Sequence, residues 1–111
     1  MSVTRIAEAM RKHEHFTHRI LTETERAYCK DDPKKVASRW AAKEALYKAL
    51  SLATPGEGAP TKGLSWLHVE VGHLPSGAPT LKWPDQGSLA AHLSLSHEDD
   101  FAVAFVVIER G

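Results

Sequence analysis

Residues 34–51, KKVASRWAAKEALYKALS, constrain this chain most, because they read as a helix with apolar groups around most of its circumference. Asp32 can cap this helix with Pro33 at its first position. Ala37, Ala41, Ala45 and Ala49 fall four apart and form a ridge of small side chains that a helix or sheet can approach closely. Val36, Trp40 and Tyr47 make a bulky patch to one side, and Leu46 and Leu50 lie to the other. Such a helix is largely buried. Yet it carries Arg39, Lys43, Glu44 and Lys48, and charges taken out of water need partners.

The 111 residues suit one domain spanning 1–111. A domain this small forms a core but gains from oligomerisation. Fourteen basic and fourteen acidic residues cancel, so no global basic field for nucleic acid is expected. The lone Cys29 excludes an internal disulfide framework and suits a reducing compartment. The opening residues have no apolar signal region, and the longest apolar run, Phe101 to Ile108, is too short to span a bilayer. These features predict a soluble cytoplasmic protein, with no membrane or nucleic-acid partner.

Along the chain, Ile6, Ala9, Met10, His13, Phe16 and Ile20 recur at helical spacing and predict a helix over 4–20. Thr22 to Glu25 is a capping-box pattern starting a short helix to about residue 30. Residues 53–63 are rich in Gly and Pro and read as a loop. Strands are expected at about 64–72 and 78–83, around a turn at Pro75-Ser76-Gly77, with a short helix over 86–92. Leu93 to Ser96 alternates as a strand does, Glu98 to Asp100 is a turn, and Phe101 to Ile108 is apolar on both faces, as in a central strand. Helices followed by hairpin-connected strands predict an α+β fold, with helices packed on a mostly antiparallel sheet.

Glu44 admits two readings: an i,i+4 ion pair with Lys48, or a ligand for a hard cation such as Mg²⁺, which is typically held by one or two carboxylates together with phosphates. Lys43, Lys48 and Arg39 either snorkel to solvent or, grouped around that carboxylate, hold the phosphates of a nucleotide-like ligand. His97, at the end of LSLSH, is either a surface residue or part of a site at a strand end. No H-E-x-x-H, P-loop, G-x-G-x-x-G or G-x-S-x-G pattern occurs.

Arg39-Trp40-Ala41-Ala42-Lys43-Glu44-Ala45, with Tyr47-Lys48-Ala49, resembles the R-[FW]-A-A-K-E-A-x-x-K-A signature of the holo-[acyl-carrier-protein] synthases. Phe16-x-x-Arg19-Ile20-Leu21-Thr22-x-x-Glu25, Gly77-Ala78-Pro79 and Ser94-Leu95-Ser96-His97 resemble further motifs of that family, in the same order. The resemblance implies a 4'-phosphopantetheinyl transferase-like fold and a homotrimer with active sites between subunits. It implies transfer of 4'-phosphopantetheine from coenzyme A to a serine of acyl carrier protein, with Mg²⁺ as cofactor, in fatty acid biosynthesis. Carried over residue by residue, Glu44 is the metal ligand and Lys43 and Lys48 lie beside the phosphates. Arg39 and His97 line the coenzyme A pocket, and Lys48 or an ordered water removes the serine proton. The first helix, with its local surplus of Arg and Lys, is where the carrier docks. The family opens with a strand reading roughly G-[IV]-D-[IL]-V, whose aspartate also holds the metal, ahead of the residues that match Ser2 to Ile6. That strand is missing here, where the chain begins Met1-Ser2-Val3. The resemblance therefore leaves two expectations: an active transferase whose start lies further upstream, or a shortened relative that keeps the fold and coenzyme A or partner binding but is catalytically impaired.

Overall fold

Four helices precede four strands in the computed structural model, which describes residues 1–53, 64–84 and 86–110. The helices are α1 (Val3–Lys12), α2 (Phe16–Ile20), α3 (Glu23–Cys29) and α4 (Pro33–Ala53). A 3-10 turn at Trp66–His68 leads into β1 (Glu70–His73), β2 (Pro79–Lys82), β3 (Leu89–Glu98) and β4 (Phe101–Arg110). β1 pairs antiparallel with β2, and β3 with β4, as two hairpins. The α+β class expected from the order of elements is the class observed. The Gly/Pro-rich loop expected over 53–63 lies, beyond Ala53, outside the described residues.

α4 is the central element. Ala42, Leu46 and Leu50 pack with Val69, Val71, Leu81 and Trp83, and the inward faces of β3 and β4 close over them. Val36 and Ala37 join a second cluster with Ile6, Ile20, Leu21, Cys29 and Ala102. Of the alanine ridge, Ala37 is fully buried, while Ala41, Ala45 and Ala49 are only partly covered.

Four expectations change. The strand expected at about 64–72 is strand only from Glu70, because Trp66–His68 form a 3-10 turn. The helix expected over 4–20 is two helices, broken at His13–His15. The break lets α2 turn so that Phe16 stacks on Trp40 at 5.2 Å and Ile20 enters the core. The segment 86–92 is not a helix; from Leu89 it is the start of β3, whose alternation places Leu89, Ala91, Leu93 and Leu95 against the core. β4 is not sandwiched between two strands along its length: it pairs with β3, meets Ser2 in an isolated bridge, and leaves its outer apolar face uncovered.

The chain's start is tied to the last hairpin. Met1 and Ala102 exchange backbone hydrogen bonds (3.2 and 2.9 Å), and Asp100 accepts from the hydroxyls of Ser2 and Thr4 and from the Thr4 amide. These donors, Thr4 first, hold the Asp100 carboxyl below its ordinary range.

The helical half and the first hairpin are joined by one buried ion pair. Thr22 and Glu25 form the expected capping box of α3. Glu25 does more than cap: its Oε1 also accepts from Lys43 Nζ at 2.6 Å, and its Oε2 accepts from the Val71 amide at 2.7 Å. Lys43 Nζ further donates to the carbonyls of Ile20 (2.7 Å) and Trp66 (2.9 Å). The Lys43 and Glu25 side chains are 1% and 0% exposed. Burial lowers the Lys43 pKa, opposed by its hydrogen bond and charge interaction with Glu25. A buried pair of this kind contributes little net stability, but breaking it strands a charge. Lys43→Met should therefore destabilise the fold by about 3–5 kcal/mol, measured by urea denaturation. A loss below about 1 kcal/mol would show that Glu25 is satisfied without its partner.

Candidate functional site

Glu44 and Lys48 lie one turn apart on α4, on the side away from the Lys43 pair. With Met1, Ala41, Ala45 and Ala102 to Ala104 they line a groove of about 360 Å³ between α4 and the start of β4. The groove exists because both walls are alanine-rich, Ala41 and Ala45 facing Ala102 and Ala104. The small ridge on α4 thus makes room instead of close packing. Among the described residues neither Glu44 nor Lys48 has a hydrogen-bond or ion-pair partner, so the i,i+4 pair is not formed. A carboxylate left free beside an ammonium, in a recess lined otherwise by apolar side chains, is suited to a cation with phosphate ligands. No cluster of three or more His, Cys, Asp or Glu side chains that could hold a metal occurs among the described residues. The donor set fits a hard cation that takes most of its oxygens from elsewhere, and not a self-contained protein cage.

Arg39 is 5% exposed, and no carboxylate pairs with it among the described residues. Its guanidinium donates to Ser38 Oγ at 2.7 Å and to His73 Nε2 at 2.9 Å, and lies over the Tyr28 ring at 4.3 Å. Lys35 Nζ stands over the same ring at 4.9 Å. The cluster therefore carries positive charge without an anion. A guanidinium only donates, so His73 must accept through Nε2 and be neutral, with its proton on Nδ1.

Lys43 does not stand with Glu44 and Lys48. Expected beside phosphates, it points into the core instead, and its three N–H donors are all taken by Ile20, Glu25 and Trp66. The physical reason is helical geometry: adjacent residues lie about 100° apart, so Lys43 and Glu44 face different sides of α4. His97 is exposed at the end of β3, where its Nε2 donates to the Lys34 carbonyl at 3.3 Å near the start of α4. Within the chain, then, Glu44 and Lys48 share a groove, Arg39 stands in its own cluster, and His97 lies apart on the surface.

Glu25, His73 and Tyr28 were not singled out as site residues from the sequence. The T-x-x-E spacing marked Glu25 as a capping residue, and nothing in the pattern paired it with Lys43. No local signal linked His73 to Arg39, because the partners are 34 residues apart. Cys29 is buried, and burial raises its thiol pKa, so it is not a poised nucleophile.

A long helix packed on two antiparallel hairpins, with Glu44 and Lys48 one turn apart in a groove beside β4, places the protein in the α+β class. Residues 1–106 match the model of the 4'-phosphopantetheinyl transferase superfamily, and the chain belongs to that family. A holo-[acyl-carrier-protein] synthase of Herpetosiphon aurantiacus is 36% identical over 116 aligned residues, covering 96% of this chain and 91% of the relative. The fold is also that of solved members. A holo-(acyl-carrier-protein) synthase from Bacillus anthracis in complex with CoA (3',5'-ADP) superposes with a TM-score of 0.80 at 36% identity, covering 100% of this chain and 91% of that one. Holo-[acyl-carrier-protein] synthase of Helicobacter pylori, in complex with coenzyme A, gives 0.80 at 30% identity, with 98% and 95% covered.

The Arg39–His73 contact has a pH consequence. Burial, and then the charge of Arg39, hold the His73 pKa below the ordinary histidine range. The unfolded chain therefore takes up this proton first as pH falls. The contact's contribution is complete above about pH 6.5 and is lost as pH falls through the lowered folded value. His73→Gln, which keeps an acceptor for Arg39 but cannot titrate, should lose less melting temperature than the parent between pH 7.5 and 5. Parallel losses in the two proteins would exclude His73 as the titrating group.

Proposed function

We propose that this chain transfers 4'-phosphopantetheine from coenzyme A to a serine of apo-acyl carrier protein. The products are the holo carrier and adenosine 3',5'-bisphosphate, and the pathway is fatty acid biosynthesis. It acts as a single cytoplasmic domain over 1–111, with Mg²⁺ as cofactor. The observation that carries this reading is the unpaired Glu44 carboxylate in the groove it shares with Lys48, within the K-E-A motif of a chain that matches the family over nearly its whole length.

The serine hydroxyl attacks the β-phosphate, a new P–O bond forms, and the phosphoanhydride bond to the leaving nucleotide breaks. Such transfer depends on positioning and charge neutralisation more than on covalent chemistry from the protein. Glu44 would hold Mg²⁺, whose charge offsets that of the diphosphate. Lys48 supplies a second positive charge there, and Lys48 or an ordered water takes the serine proton. Arg39, a buried cation without a carboxylate, and His97 line the coenzyme A pocket. The exposed Arg5, Arg11 and Lys12 of α1 face the acidic carrier, where their charge acts mainly on association rate. With coenzyme A, Mg²⁺ should enhance binding to the parent and no longer do so in Glu44→Gln, by calorimetric titration. An undiminished magnesium effect in Glu44→Gln would refute the assignment.

The same reading makes the protein a homotrimer with sites between subunits. Its support is the outer face of β4, where Phe101, Val103, Phe105 and Val107 are 53%, 48%, 68% and 46% exposed in an unbroken row. A monomer rarely leaves such a row in water. The dispersal of Arg39, His97 and the Glu44 groove within one subunit agrees with a site completed by another. Phe105→Glu should shift the protein to a monomer by light scattering and lower transfer sharply. A Phe105→Glu protein that remains a trimer would remove this face from the interface.

A second reading, a catalytically impaired relative that keeps coenzyme A or partner binding, is favoured by one observation: Glu44 is the single carboxylate lining the groove among the described residues. Coenzyme A binding without transfer to any apo-carrier protein would favour it.

A further inference from the structure

α4 is apolar around most of its surface, so burial alone leaves its rotation about its own axis weakly specified. A polar pin supplies what the apolar groups do not. Lys43 Nζ is held by three acceptors from three parts of the chain: the Ile20 carbonyl at the end of α2, Glu25 in α3 and the Trp66 carbonyl in the 3-10 turn. Glu25 is itself fixed by the Thr22 and Val71 amides. Three acceptors converging on one ammonium define a point, and that point lies one residue from Glu44.

We propose that the buried Glu25–Lys43 pair is a positioning device that sets the rotation of α4 and so aims Glu44 and Lys48 into the groove against Met1 and β4. Neither residue touches the substrate; both act through Glu44 and Lys48, so the inference rests on the roles proposed for those two. The scale is sufficient. A side-chain tip stands about 6 Å from a helix axis, so a rotation of about 10° moves it by about 1 Å. Misplacement of about 1 Å can cost about 100-fold in rate.

The alternative is a pair that only stabilises the fold. A double variant separates the two, because removing both charges leaves no buried ion unpaired. Glu25→Gln/Lys43→Met should melt near the parent temperature yet lose about 10- to 100-fold in kcat, with KM for the carrier little changed. In calorimetry, its magnesium-dependent enhancement of coenzyme A binding should fall at least several-fold. A folded double variant with parent kcat and parent magnesium response would overturn the proposal. If the double variant does not fold, Glu25→Asp decides. It keeps the charge and shortens the arm by one methylene, so it should fold and lose about tenfold in kcat. A parent kcat in Glu25→Asp would then overturn the proposal. Glu44→Gln is measured alongside. An undiminished magnesium effect there refutes the metal role of Glu44, while the pair's role is still read from kcat. Loss in Glu44→Gln beside an unaffected pair variant overturns the pair's role alone.

Discussion

A lysine ammonium buried under three acceptors, with a carboxylate as one of them, is the interaction on which the rest of this structure depends. Lys43 is reached by α2, α3 and the 3-10 turn, and its partner Glu25 reaches on to β1 through the Val71 amide. One pair of side chains thus ties the helical half to the first hairpin. The cost of removing both charges from water is offset because every donor of Lys43 is used, and Glu25 accepts from two amides besides. The same carboxylate closes the capping box of α3, so helix initiation and tertiary docking use one group.

The charges of α4 are sorted by what surrounds them. Lys43 is saturated inside the protein. Arg39 is buried too, but against a neutral histidine, a serine and an aromatic ring, so its charge has no anion opposite it. Glu44 and Lys48 share a groove whose alanine walls offer no polar groups in competition. The helix thus pairs Lys43 fully and leaves Arg39, Glu44 and Lys48 without an ion-pair partner among the described residues.

The apolar row on β4 belongs to the same arrangement. It lies on the outer face of the hairpin, while alternate residues of that strand pack toward α4 and, at Ala102 and Ala104, line the groove. Burying the outer row against another subunit would hold the strand that forms one wall of the site. The tie from Asp100 to Ser2 and Thr4 anchors the start of α1 to that same hairpin. α1, the groove and the exposed apolar face of β4 are therefore mechanically adjacent.

Local rules read directly from residues were enough for the class of fold, the long buried helix, the capping box at Thr22 and the turn at Gly77. Each depends on spacing within one or two turns, and side chains three or four apart on a helix must share a face. The resemblance of the R-W-A-A-K-E-A stretch added what spacing cannot supply, the family and its chemistry. The fate of Lys43 and Arg39 was not legible in that way. A lysine beside a glutamate in a motif looks like part of the same site, but only the packing of α2, α3 and the 3-10 turn around α4 decides that it turns inward. The break at His13–His15, the pairing of Arg39 with His73, and the exposure of one face of β4 were likewise decided by tertiary structure. Each is a choice among partners distant in sequence, made by where burial and hydrogen bonding can be satisfied together.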